Sequence, residues 1–329
     1  MDNSNYLVNE DKYHNYEKAK LIKISPKIFL ENKDFDYLIY EEDTDGLFKK
    51  FLDFKNECDR TKINSVEKNN IQDLYIKHED FDKYSKDISK YISNILNNKD
   101  NSLLIKSESI HELANDTMYE LLTGEITKNK INHVSEIVNS SVEFILNDPN
   151  AMQSMIEVTT HDYYTYTHSV DVSTYALAFG AYLGLNENQL RFLGKGAMLH
   201  DIGKKKVPLE IINKNGKLTK EEFSIMKKHP SYGVDILESL GENDNNLLAI
   251  VEEHHEKFDG SGYPKGLKGN EIHPFSQIVA ICDIFNALTT KRSYKEPMSS
   301  FDAIKIMYEL MRNELNLKLL SQFIQFLKK

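Results

Sequence analysis

The chain has 329 residues, 40% hydrophobic and 28% charged, with a formal net charge of −10. That length exceeds what one hydrophobic core ordinarily organises, so two domains are expected, and the composition is that of a folded globular protein, not of a disordered or membrane-embedded one. The acidic balance argues against wrapping polymeric nucleic acid, which needs Lys and Arg against many phosphates, but a small anionic ligand at a locally positive site, such as a bound metal, is compatible with it.

The first residues, MDNSNYLVNEDKYHNYEK, lack the basic start and apolar core of a signal peptide. The longest weakly polar stretch, Val172 to Leu185, falls short of the roughly 20 apolar residues of a membrane helix. A cytoplasmic protein is expected; Cys58 and Cys282, far apart and without CxxC spacing, fit a reducing compartment. From Lys20 to about Tyr91, short apolar-aromatic runs such as FDYLIY and IQDLYI alternate with acidic, Asn- and Lys-rich segments. These runs read as strands, and EEDTDG between FDYLIY and LFKKFL has turn chemistry, so residues 1–105 are expected to form a small α/β module of regulatory or sensor type.

From about Ser107 the pattern becomes helical, first in SESIHELANDTMYELLTG and then in NKINHVSEIVNSSVEFILND, where Ile131, Val134, Ile137 and Val138 share a stripe. Residues 106–134 are read as a helical connector and 135–329 as the second domain. From Tyr164 onward helices alternate with Gly/Pro loops. Thr219 and Glu222 have capping-box spacing, Pro274 suits the first turn of FSQIVAICDIFNALTT, and Ser299 or Ser300 can cap FDAIKIMYELMRN. The fold expected is mainly α: an all-helical bundle behind a small N-terminal α/β module.

Five of the eleven histidines, His168, His200, His229, His254 and His255, lie close together in sequence with Asp201 and Asp283, each near a predicted helix end or loop. Helices of a bundle can direct such groups into one cavity, where imidazole and carboxylate suit Fe, Mn or Zn. Neighbouring residues on a helix point about 100° apart, so the HD and HH pairs can address two metals or two edges of one, and the Asp201 carboxylate is able to bridge.

The series HS, HDIGK, HP, HHE, DGSGYP and CDIFNAL, from about Tyr164 to Pro297, resembles the HD-GYP subgroup of the HD phosphohydrolase superfamily. The resemblance implies an HD-GYP bundle that hydrolyses cyclic di-GMP to pGpG, and on to GMP, through a hydroxide bridging two divalent ions, Fe or else Mn. It implies His168, His200, Asp201 and Asp283 around one ion and Asp201, His229, His254 and His255 around the other. Lys204, one turn after HD, is expected to act with Asp201 in catalysis by stabilising charge on the phosphate, whereas Lys205 and Lys206 are read as solvated. Arg292 and Lys295 match phosphate-binding positions. Tyr263, at the tip of FDGSGYPKG, is read as a ligand contact or an anchor for its loop.

Two positions depart from the family pattern. Tyr164 stands where some members have a Glu that recruits a third metal, so two ions are expected, and Asn286 replaces an Asp at a position that supports ligands or contacts substrate. His161-Asp162 is read as a decoy, His273 as a cap residue, Cys282 as packing, and His14, His78, His111 and His133 as structural or solvated. Cyclic GMP-AMP remains an alternative substrate. The competing function is a catalytically weak cyclic-dinucleotide receptor signalling through its N-terminal module. A bare scaffold ranks last, because no ligand is missing. A protein partner at the GYP loop or the N-terminal module and a homodimer stay open.

Overall fold

The computed structural model describes residues 21–24, 35–43, 47–53, 74–159, 165–214, 216–291 and 296–328. The chain divides into two compact units, Met1–Asn97 and Asn98–Lys329.

The first unit carries a four-stranded sheet, β1 (Leu21–Ile24), β2 (Leu38–Glu42), β3 (Phe48–Asp53) and β4 (Leu74–Lys77), in the order β1-β4-β2-β3. All three pairings are antiparallel. FDYLIY and IQDLYI feed β2 and β4, as their β-branched and aromatic content predicts. Asp43 and Leu47 close the β2–β3 connection: the Asp43 N–H donates to the Leu47 carbonyl and the Leu47 N–H to the Asp43 carboxylate, both at 2.9 Å. Helix α1 (Phe81–Asn97) buries Phe81, Tyr84, Ile88, Tyr91, Ile92 and Ile95, one apolar stripe at helical spacing.

In the second unit, α2 (Leu103–Thr123) starts at a Ser102 cap and α3 (Lys128–Asn147) at a Thr127 cap, and both helices cover the expected periodic segments. Then come α4 (Ala151–Glu157), α5 (Thr165–Tyr182) and α6 (Glu187–Leu199), followed by a 3-10 turn at Ile202–Lys206. The remainder is α7 (Leu209–Ile212), α8 (Lys220–Met226), α9 (His229–Ser239), α10 (Asn245–Glu253), α11 (Pro274–Thr289), α12 (Ser300–Glu309) and α13 (Leu317–Phe326). The Thr219–Glu222 capping box, Pro274 in the first turn of α11 and Ser299 as the cap of α12 all form.

Helix α5 is buried on nearly all sides, which explains its continuous weakly polar sequence without any membrane role. Its Val172, Ala176 and Phe179 join Leu193 of α6, Ile278 and Phe285 of α11 and Phe323 of α13 in one core. This packing brings the C-terminal ends of α6 and α10 and the start of α9 toward the middle of α11. Among the described residues, no helix is long and apolar enough to cross a membrane.

Of the set-aside histidines read as structural or solvated, two are structural. His111 is buried with Nε2 2.8 Å from the Asp171 carboxylate, and His133 is buried beside Glu136. Lys205 is exposed, as read, and its ammonium also donates to the Leu122 and Thr123 carbonyls at 2.7 and 2.9 Å, carbonyls that the end of α2 leaves unpaired. His14, Cys58 and His161-Asp162 lie outside the described residues.

Candidate metal centre

Two sets of potential ligands converge in the second unit. Asp201, His229, His254 and His255 offer atoms within 4.8 Å of one another, and so do His168, His200 and Asp283. Five of the seven residues are fully buried, and His255 and the side chain of Asp283 are partly exposed.

Helix ends explain why these histidines point where they do. His200 Nδ1 donates to the Ala197 carbonyl at 2.6 Å, His229 Nδ1 to Met226 at 2.8 Å and His254 Nδ1 to Val251 at 2.8 Å. Ala197, Met226 and Val251 lie in the last turns of α6, α8 and α10, where carbonyls have no partner within the helix. Each imidazole thus reaches back three residues, closes a helix end and fixes its own tautomer, leaving Nε2 as a lone pair aimed inward. The fourth ring, His168 in the first turn of α5, has Nδ1 2.7 Å from Asn286 Oδ1 and Nε2 3.0 Å from Asp283 Oδ1.

This arrangement calls for cations. With both Nδ1 atoms committed, the Nε2 atoms of His229 and His254 face each other at 3.2 Å as two lone pairs. His229 Nε2 lies 3.2 Å from Asp201 Oδ1, and His200 Nε2 lies 3.4 Å from Asp201 Oδ2. Even so, His200 Nε2 and Asp201 Oδ1 form no well-directed hydrogen bond although both are buried. Lone pairs turned on one another in a dry interior are stable only around protons or metal ions, and imidazole with carboxylate is the donor set of borderline transition metals.

The titration behaviour matches. Burial opposes the ionisation of Asp201, but Lys204 and His200 outweigh it and hold the carboxyl well below its usual range. Asp283 is likewise held low against burial, by its bond from His168 and by the surrounding imidazoles. Burial, opposed by Asp283 and reinforced by His229, pushes His255 down to about 3; burial and the other histidines also push His254 well down. Both rings therefore present neutral nitrogens at neutral pH.

Two glycines permit the approach of backbone to backbone. A Cβ on Gly203 would lie 1.9 Å from the His229 carbonyl oxygen and 2.4 Å from the Gly233 nitrogen. The Ile202–Lys206 turn after HD can therefore lie against the start of α9 only with glycine there. A Cβ on Gly262 would meet the backbone of His255, Glu256 and Lys257 within 2.6 Å, so the DGSGYP loop can fold back onto the HHE segment.

Lys204 sits directly above Asp201, with Nζ 2.5 Å from Oδ2. The turn is 3-10, in which residues three apart eclipse each other, so the pair is tighter than an α-helical reading predicts. Tyr263 packs its ring against His255, centroids 4.8 Å apart, with Phe223 edge-on at 6.2 Å. Burial raises the Tyr263 phenol, which stays protonated. Asn286 is buried with its carbonyl accepting from His168, so it supports a candidate ligand where a substrate contact had been an alternative. His273 caps α11, its Nδ1 accepting from the Phe275 N–H, and burial keeps the Cys282 thiol protonated. Arg292, Lys295 and Tyr164 lie outside the described residues.

Sequence reasoning gave Glu256 no role. Its buried carboxylate accepts the N–H groups of Lys265, Gly266 and Leu267 at 2.6 to 3.1 Å and organises the loop. Glu253 similarly receives the His273 N–H at 2.7 Å. Both stand in the VEEHHEKF run, but a carboxylate beside two histidines reads as a ligand or a surface charge until its partners, distant in sequence, are seen.

A cavity of about 290 Å³ opens onto these groups, lined by His168, Asp201, Lys204, His255 and Asp283 and continuing along Ile284 and Ala287 of α11 to Met311, Glu314 and Leu315.

Residues 132–316 match the family model described as HD domain. A cyclic di-GMP phosphodiesterase of Pseudomonas aeruginosa is 37% identical over 177 residues, covering 54% of this chain and 43% of the relative. A 3'3'-cGAMP-specific phosphodiesterase of Vibrio cholerae is 35% identical over 195 residues, covering 58% and 35%. The match thus spans less than half the length of these curated relatives. Among solved structures, an HDG"Y"P protein of Bdellovibrio bacteriovorus superposes with a TM-score of 0.70 at 21% identity, covering 94% of this chain and all of that one, a likeness of fold. With the family match over more than half its length, the chain belongs to the HD domain family.

Proposed function

We propose that the chain is a metal-dependent phosphodiesterase that opens cyclic di-GMP to linear pGpG, and more slowly to GMP. The observation that carries this reading is the placement of Asp201. Its Oδ2 faces His200 while its Oδ1 faces His229 and, at 4.0 Å, His254, so one carboxylate addresses both ligand sets. His168, His200, Asp201 and Asp283 would hold one divalent ion, and Asp201, His229, His254 and His255 the other. Such a pair supplies an activated water and the positive charge that a phosphodiester needs in an in-line displacement.

The chain's own groups divide the remaining work. The neutral imidazoles of His254 and His255 and the low-pKa carboxylates of Asp201 and Asp283 offer lone pairs without first having to lose protons. Lys204 donates from Nζ to a phosphate oxygen as negative charge grows there. Tyr263, packed at a tilt against His255, supports that ring, and we assign Arg292 and Lys295 to the substrate's phosphates, the guanidinium being suited to bidentate contact. The cyclic-dinucleotide names of the relatives support the substrate class; the N/O donor set is compatible with iron, manganese or zinc, and we assign iron, with manganese second, from the resemblance to the HD-GYP pattern. We assign the protein to the cytoplasm, the first unit to regulation, and the GYP loop or that unit to any partner or dimer contact.

Metal analysis of protein purified without air, with product chromatography on the same sample, tests the reading. About two ions per chain and formation of pGpG are expected. Tight binding of cyclic di-GMP without turnover at full metal occupancy would replace the enzyme with a receptor.

Asn286→Ala removes the acceptor that fixes the His168 tautomer. Chelator competition is expected to show metal affinity lowered about 10- to 100-fold, the usual cost of losing such a support. Unchanged affinity would mean that Asp283 alone orients the ring.

A further inference from the structure

We propose that Glu314, paired with Lys257 on the cavity wall, reads the Watson–Crick edge of a guanine and so sets the base preference of the site; this rests on the cyclic-dinucleotide reading above. The wall that carries Glu314 is continuous with the one that carries His168, Asp201 and Asp283. A phosphodiester placed at those ligands therefore brings its attached nucleoside against the Ile284, Ala287, Met311 and Leu315 side, an apolar surface suited to the faces of a base.

The carboxylates lining this cavity have distinct commitments. Asp201 and Asp283 face the histidines, and Glu256 is taken up by three loop N–H groups. Glu314 instead meets Lys257, Oε2 to Nζ 2.8 Å, with both side chains partly exposed. A carboxylate near an anionic substrate is unfavourable unless it meets donors. Guanine offers N1–H and N2–H side by side, which a carboxylate accepts together, and its O6 beside them accepts from an ammonium. Adenine presents N6–H next to the N1 lone pair and leaves one carboxylate oxygen facing an acceptor. The Lys257–Glu314 pair is thus complementary to guanine and mismatched to adenine, and a site built for donors rejects a base that lacks them.

The position is also held in place. Glu314 lies in the turn between α12 and α13, where its carbonyl accepts the Phe258 N–H at 2.8 Å and its N–H donates to the Met311 carbonyl at 2.9 Å. Asn316 caps α13 immediately after it. The backbone under Glu314 is therefore tied to the strand of loop that leaves His255, which limits what binding must order.

The test compares metal-loaded wild type, Glu314→Gln and Lys257→Met on cyclic di-GMP, cyclic di-AMP and bis(p-nitrophenyl) phosphate, a diester without a base. Glu314→Gln keeps the size but turns one acceptor into a donor. Its kcat/KM for cyclic di-GMP, taken relative to that for the base-free diester, is expected to fall roughly 10- to 100-fold, mainly through KM, the worth of one bidentate base contact. Lys257→Met should lose less, again on the guanine substrate alone. Equal losses on all three substrates, or no loss on cyclic di-GMP, overturns the assignment. Wild type that cleaves the base-free diester but no cyclic dinucleotide overturns the substrate reading and this assignment with it, a result visible before any substitution is compared.

Discussion

Asp201→Ala is expected to abolish hydrolysis and to empty both ion positions. Each carboxylate oxygen lies near different imidazoles, so one substitution takes a donor and a negative charge from both ligand sets. It also strands Lys204, whose Nζ hydrogen-bonds Asp201, and leaves the lone pairs of His229 and His254 opposed at 3.2 Å without the charge that draws a cation between them. Metal analysis should fall from about two ions per chain to near none, with turnover at background. A variant that keeps both ions and more than roughly a tenth of the rate would show that Asp201 does not bridge.

Lys204→Ala should separate from this cleanly. The lysine touches Asp201 from the cavity side and ligates nothing, so metal content should stay at the wild-type level while kcat falls about 100- to 1000-fold, the usual cost of one charge-stabilising donor. KM for cyclic di-GMP should move less than kcat, because the charge that Lys204 meets develops as the phosphate reacts. Joint loss of metals and rate would make Lys204 a structural partner of Asp201 instead. Lys205, which closes the end of α2, provides the contrast: its substitution should lower stability before it lowers kcat.

How far the site was legible in the sequence differs from residue to residue. The ligand types could be read because HD, HH and HHE place several metal-binding side chains near loops, and the caps at Thr219, Pro274 and Ser299 could be read because capping depends on residues within one turn. The contacts of Lys205 and Glu256 were not legible, and for Asn286 the supporting role was one of two readings while its partner was not legible. Lys205 meets a helix end more than eighty residues away, Asn286 meets a histidine 118 residues away, and Glu256 gathers N–H groups that converge only once the loop has closed.

By itself, then, the sequence determined the helical character of the second unit, the short strands of the first, and the inventory of histidines and carboxylates. Those are consequences of local periodicity, propensity and residue chemistry. Only the tertiary structure decided which lone pair each imidazole turns inward, which histidines each Asp201 oxygen faces, that the partner of Asn286 is His168, and that Glu314 and Lys257 share a cavity with the cluster. The physical reason is that these properties depend on the packing of α5, α6 and α11 around one core, which sets carbonyls, rings and carboxylates far apart in the chain at hydrogen-bonding distance from one another.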